Sequence, residues 1–317
     1  MKTAWTTNDI PSQAGRRVLI TGANSGIGWE AALELARRGA EIILPARTEA
    51  KADDAIARIR AQVPAAKLIP EILDLADLNS VHAFARRVAE MYPGQSLDLL
   101  INNAGVMAVP TREVTVDRYE RQFATNYLGP FALTALLFWS IKPQPGSRIV
   151  TVASGVTNHA RIEFDNLHSQ RRYSPMWQAY AQSKLADLIF QQELQRRLTA
   201  IGSPILSTGA HPGYAVTNLQ TSGPGENMPI LLHFGMMILK PLASQDAAHG
   251  ALPTLFAATS PEATPGGYYG PSGFQELKGH PVPAKIAVAA RDSALAQRLW
   301  TESERLTGTR LDLLPAS

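Results

Sequence analysis

Arg17-Val18-Leu19-Ile20-Thr21-Gly22-Ala23-Asn24-Ser25-Gly26-Ile27-Gly28 joins a short apolar run to a glycine-rich turn, and Ile27, Ala31 and Leu35 then recur at helical spacing until Gly39. The run suits a buried strand, the 3.6-residue period a helix, and Gly39 a helix end. Glycine lets the turn fold tightly and lets a ligand approach its backbone, while the following helix start offers unpaired N–H groups and a positive dipole end. The stretch therefore reads as strand, diphosphate-binding turn and helix. Its spacing is G-x-x-x-G-x-G, not the usual G-x-G-x-x-G of dinucleotide sites, and a purely structural glycine turn is the alternative.

Outward from this unit the same rhythm repeats. Strand-like runs fall at 41–44, 68–73, 97–101, 148–152 and 205–210, with Pro70 weakening the third strand. Helical segments fall at 49–63, 75–92, 119–138 and 177–198. Strand and helix alternating without hairpin signals predict an α/β fold, a doubly wound parallel sheet with helices on both faces. After Ala210 the rhythm breaks; Pro and Gly are frequent from Pro212 to Pro241 and from Pro261 to Pro283, before a last helix near 292–306. One domain is expected, with the residues after about 211 capping the C-terminal edge of the sheet, where ligands of such sheets bind.

The 317 residues contain no Cys, which excludes disulfides, thiolate nucleophiles and Cys-ligated metals, and no metal site is expected. Thirty Lys and Arg against 27 Asp and Glu leave +3, but the arginine pairs at 37–38, 86–87 and 196–197 fall late in helical segments, where cations complement the dipole. No basic stripe marks a nucleic-acid partner. The N-terminus has no charged-then-apolar leader, and the greasiest stretch, Met228 to Leu242, is short and broken by Pro229, His233, Gly235, Lys240 and Pro241. No integral membrane span is expected, and the chain reads as soluble and cytoplasmic.

The remaining chemistry lies at predicted strand ends. The second strand ends Leu44-Pro45-Ala46-Arg47 with no acid before Glu49; an arginine there suits a ribose 2′-phosphate, so NADP(H) is expected over NAD(H). Asp74-Leu75 follows strand three, where the carboxylate could take an adenine amino group or cap a helix. Asn102-Asn103-Ala104-Gly105 follows strand four, suited to a ribose or to an ordinary turn, and Asn126 sits inside an apolar helix. Ser154 ends strand five, its hydroxyl able to meet a carbonyl oxygen or to serve as a cap. Tyr180 and Lys184 lie four residues apart and so share a helix face. A phenol is a poor base at neutral pH, and a nearby ammonium stabilises the phenolate, which would let Tyr180 give or take a proton.

Taken in order, Thr21-Gly22-x-x-x-Gly26-x-Gly28, Asp74, Asn102-Asn103-Ala104-Gly105, Asn126, Ser154, Tyr180-x-x-x-Lys184 and Pro212-Gly213 resemble the short-chain dehydrogenase/reductase family from about Arg16 to Thr217. Within it, the chain is most similar to the retinol-dehydrogenase-like and WW-domain-oxidoreductase-like branch. Ala46-Arg47, Ser183-Lys184-Leu185-Ala186, His211-Pro212-Gly213 and Tyr269-Gly270-Pro271 carry that likeness, as does the long Ser154-to-Tyr180 gap. The resemblance implies a single Rossmann-type domain over 1–317, with about 16–217 as cofactor and catalytic core and about 218–317 as substrate lid and C-terminal elements. It also implies an NADP(H)-dependent carbonyl reductase or alcohol dehydrogenase acting on a hydrophobic ketone, aldehyde or secondary alcohol. Tyr180 would be the general acid/base, Lys184 its electrostatic partner and a ribose contact, Ser154 the carbonyl-orienting hydroxyl, and Asn126 the holder of a relay water. Gly22, Asn24, Ser25, Gly26, Ile27, Gly28, Arg47, Asp74, Leu75, Asn102, Ala104, Gly105, Pro212, Gly213 and Thr217 would contact the dinucleotide. Ala215 and Ala153 depart from the family pattern, outside the tetrad.

Met228 to Leu239 lies where the family places a substrate cover; core packing, or a subunit or membrane-surface contact, are the alternatives. Trp177, Tyr214 and Tyr268 are further candidates for the pocket wall. A homo-oligomer is among the expected states, since the helices bearing Asn126 and Tyr180 form dimer contacts in the family. The alternative function is a cofactor-binding sensor or scaffold with little turnover.

Overall fold

Six apolar runs that alternate with helices leave little choice but a sheet buried on both faces, and the computed structural model describes it at residues 4–214, 245–311 and 313. In chain order come β1 (Arg17–Ile20), α1 (Gly26–Arg37), β2 (Glu41–Ala46), α2 (Glu49–Arg60), β3 (Lys67–Ile72), α3 (Leu78–Met91) and β4 (Leu99–Asn102). Then follow α4 (Arg121–Phe123), a π-helical stretch (Ala124–Leu128), α5 (Gly129–Leu137), β5 (Arg148–Val152), a second π-helical stretch (Pro175–Tyr180), α6 (Ala181–Ala200) and β6 (Leu206–Ala210). The chain closes with α7 (Ala247–Thr259), β7 (Tyr268–Pro271), β8 (Pro281–Pro283) and α8 (Ser293–Thr307).

The eight strands form one sheet in the order β3-β2-β1-β4-β5-β6-β7-β8. All neighbours are parallel except β7 and β8. Because strand side chains alternate, Leu19 and Ile43 enter one core layer with α3, α5, α6 and α8, while Val18, Ile20, Ile42 and Leu44 enter the other with α1, α2 and α7. Pro70 costs β3 nothing decisive: the strand lies at the sheet edge, where a missing N–H leaves no inner ladder broken.

The structure differs from the sequence reading in three respects. The region after Ala210 is not only a cap, for α7 packs on α1 and β7 and β8 widen the sheet. Helix α3 starts at Leu78 instead of 75 because Asp77 accepts from the Asn79 and Ser80 amides as its N-cap. The helical segment 119–138 is interrupted by a π-helical stretch carrying Asn126, and 177–198 is preceded by one ending at Tyr180. Residues 215–244, including Ala215, Thr217 and Met228 to Leu239, lie outside the described residues. Among the described residues no helix is long and apolar enough to cross a membrane.

The layer under α8 is aromatic. Trp300 stacks on Phe190 with centroids 5.7 Å apart, meets Phe131 edge-on at 5.3 Å, and lies under the Arg197 guanidinium at 4.0 Å. Replacing Trp300 with alanine is expected to cost about 3–5 kcal/mol, read as a lowered denaturant midpoint with an unchanged slope.

Candidate active site

The C-terminal ends of β1, β2, β4 and β5 open onto one cavity of about 750 Å³. Its floor is the turn after β1. Gly22 is left-handed at φ +69, and a Cβ on it would sit 2.8 Å from the Ala104 Cα. A Cβ on Gly28 would sit 2.4 Å from the Gly22 carbonyl oxygen. Thr21 stitches this turn to the end of β4: its Oγ1 accepts from the Asn103 and Ala104 amides at 3.0 and 3.1 Å, and the Asn103 Nδ2 donates to the Thr21 carbonyl. Ser25 holds the N-cap position of α1 without making a side-chain cap bond, so the start of that helix is open to the cavity, which Asn24, Ser25, Gly26 and Ile27 line.

At one end of the cavity Arg47 and Lys51 stand exposed, and among the described residues neither has an ion-pair partner. Leu75 and Asp74 line the same end. The Asp74 Oδ1 accepts from the Ala76 amide at 2.9 Å; the helix cap is Asp77 instead. Ala104 and Gly105 line the middle, where a Cβ on Gly105 would come within 3.2 Å of the Asn126 Oδ1. The glycine cradle and open helix start fit a diphosphate, and the two free cations fit an added phosphate.

Tyr180 and Lys184 line the other end. Tyr180 is half-buried, at the close of its π-helical stretch. The Lys184 Nζ is buried and donates to the Val152 carbonyl at 2.8 Å and the Asp187 Oδ2 at 2.9 Å. Burial works against this ammonium, but Asp187 and then Tyr180 outweigh it and hold Lys184 above the ordinary lysine value. Burial pushes the Asp187 carboxyl up to about 7, against the pull of Lys184. Asn126 is buried; its Oδ1 accepts from the Val106 amide at 2.7 Å, and its Nδ2 donates to the Val106 carbonyl and the Ser183 Oγ, both at 2.9 Å. The π-helical stretch aims it there, since such a turn rotates the residues that follow it.

Not every expected contact reaches the cavity. Asn102 is turned away, its Nδ2 donating to the Thr134 Oγ1 on α5 at 2.9 Å, because as the last residue of β4 it points opposite to its neighbour; Asn103 lines the cavity instead. Ser154 follows the lining residues Val152 and Ala153, is half-buried, and its side chain makes no cap bond. Pro212 lines the cavity, whereas Gly213 faces the 273–279 loop, its Cβ position 2.3 Å from the Leu277 carbonyl oxygen. Tyr268 is buried beneath Ser154, donating to its carbonyl at 3.4 Å; Trp177 is solvent-exposed; neither they nor Tyr214 line the cavity.

Residues to which the sequence reading assigned no role line this cavity or back onto its lining. Asp187 lies three residues beyond Lys184 on α6, so helical spacing was an available signal for it, whereas Lys51 is in the first turn of α2 and Arg47 in the loop before that helix. His211 and Glu276 left no such signal, being 65 residues apart. The His211 Nδ1 accepts from the Gly213 amide, so Nε2 carries the proton and donates to Glu276 at 2.9 Å, which holds that carboxyl below its ordinary value.

A profile of the short chain dehydrogenases matches residues 16–226, a span that includes the residues described as lining this cavity. The chain belongs to the short-chain dehydrogenase/reductase family. Retinol dehydrogenase 14 of Homo sapiens is 36% identical over 309 residues, covering 93% of this chain and 87% of the relative. An uncharacterised protein of Mycobacterium paratuberculosis is 41% identical in crystal structure, with a TM-score of 0.78, covering 98% of this chain and 99% of that one. A short chain dehydrogenase of Burkholderia cenocepacia, solved in complex with NADP, is 25% identical with a TM-score of 0.60, covering 81% of this chain and 96% of that one. This short-chain dehydrogenase/reductase is thus an oxidoreductase of the retinol-dehydrogenase-like branch with a nicotinamide cofactor site.

Proposed function

We propose that the protein is an NADP(H)-dependent carbonyl reductase or alcohol dehydrogenase for a hydrophobic ketone, aldehyde or secondary alcohol. The placement of Tyr180 beside a buried, charged Lys184 at one end of a glycine-cradled cavity supports this reading most directly. Gly22, Asn24, Ser25, Gly26, Ile27 and Gly28 hold the diphosphate, Asp74 and Leu75 the adenine end, Ala104, Gly105 and Pro212 the nicotinamide half. When bound, the nicotinamide supplies a hydride to the substrate carbon or takes one from it.

The chain positions the reactants and manages the proton. Tyr180 gives its phenolic proton to the carbonyl oxygen in reduction and takes it back in alcohol oxidation. Lys184 stabilises the phenolate left behind. Ser154 orients the substrate oxygen from the end of β5. Asn126 has both side-chain amide protons committed to Val106 and Ser183, so a relay water at this side chain can only donate to Oδ1. The walls near the reacting end include Val106, Met107, Val109 and Pro110, which favours an apolar substrate, as does the likeness to a retinol dehydrogenase.

Loss of 340 nm absorbance from NADPH with a panel of apolar ketones and aldehydes, retinal included, tests the assignment. Binding of NADPH without turnover across the panel would leave a cofactor-binding protein without catalysis. Arg47→Ser is expected to weaken NADPH binding about tenfold or more and to leave NADH nearly unaffected, because a charge-assisted contact to the 2′-phosphate is worth about 1.5–3 kcal/mol. Equal losses for both nucleotides in a fluorescence titration would remove Arg47 as the discriminating residue.

A further inference from the structure

Lys184 and Asp187 form a buried ion pair, with side chains 6% and 2% exposed. A lone ammonium this deep would lose its proton instead of remaining charged. Of its three N–H donors, one meets the Asp187 Oδ2 and one the Val152 carbonyl, which leaves the third for the cavity that Lys184 lines. We propose that Asp187 is a positioning residue that keeps Lys184 charged and points its free N–H at the Tyr180 side of the cavity. This rests on the roles assigned above to Tyr180 and Lys184.

The surroundings leave Asp187 as the counter-charge. From the π-helical stretch comes Tyr127, whose hydroxyl bonds Ser303 at 2.7 Å and whose phenol burial holds neutral. From β7 comes Tyr268, also pushed well up by burial, with Glu276 beyond it against His211. Tyr180 lies one turn before Lys184 on the same segment. No other carboxylate among the described residues bonds the Lys184 Nζ.

Asp187→Asn keeps the shape and an acceptor oxygen for Nζ while deleting the charge. Burial then acts on Lys184 with only Tyr180 left to oppose it, and its amine is expected to titrate at least about one unit lower, read by ¹⁵N-lysine NMR. The basic limb of carbonyl reduction shifts down with it. The variant and the parent converge in rate where Lys184 is charged in both and separate above the lowered Lys184 titration. A role confined to packing would lower the rate equally at every pH, and that result, or an unmoved Lys184 titration, overturns the proposal. Should the variant not fold, the parent decides: a Lys184 amine charged to about pH 10 supports the pair, and one neutral at pH 8 refutes it. The NMR titration needs no turnover, so a parent that reduces nothing in the panel defeats the assigned activity without touching this result.

Discussion

Tyr180→Phe is expected to lower carbonyl reduction by about 10²–10⁴-fold, the usual contribution of a positioned proton donor, with NADPH binding close to that of the parent. The phenol ring packs half-buried at the close of a π-helical stretch, and phenylalanine preserves that packing. What disappears is the ionisable hydroxyl that, among the described residues, shares the reacting end of the cavity with Lys184. Lys184 keeps its bonds to Val152 and Asp187 in the variant, so it cannot substitute: it stabilises a phenolate that no longer exists. Single-turnover reduction monitored at 340 nm separates this loss from slow product release. A variant as fast as the parent would assign the proton to another group.

Gly28→Ala is expected to destabilise the protein by about 1–3 kcal/mol, the ordinary cost of overpacking, and to weaken NADPH binding about 10–100-fold. The new methyl would lie 2.4 Å from the Gly22 carbonyl oxygen and 2.3 Å from the Asn103 Nδ2. Neither can retreat freely. The carbonyl belongs to a turn tied by Thr21 to Asn103 and Ala104, and the Asn103 amide is itself bonded to Thr21. The turn must open, moving the backbone donors at the start of α1 away from the diphosphate, and each charge-assisted bond lost is worth about 1.5–3 kcal/mol. Thermal unfolding with and without NADPH measures both effects; an unchanged midpoint and affinity would show that the turn is looser than these contacts imply.

How far the fold could be read depended on how each element buries itself. Strands β1, β2, β4 and β5 are largely apolar runs because both of their faces are covered, and helices such as α3 keep a polar side that betrays their period. Helix α7 has no such side. Its Ala251, Leu252, Leu255, Phe256, Ala257 and Ala258 are all buried between α1 and the sheet, and Pro253 interrupts the pattern. Strands β7 and β8, Tyr268–Pro271 and Pro281–Pro283, are short and proline-bearing, tolerable only near the sheet edge that they themselves create.

The candidate site divides the same way. Spacing alone puts Tyr180, Lys184 and Asp187 on one helical face and glycines at the first strand–helix turn, because these relations are local and set by backbone geometry. Which of Asn102 and Asn103 meets the cavity, that Asn126 is turned by a π-helical stretch toward Val106 and Ser183, and that Glu276 reaches back to His211 are all outcomes of packing between distant segments. Such contacts are chosen by which side chains can be buried with their hydrogen bonds met, and that is a property of the folded whole.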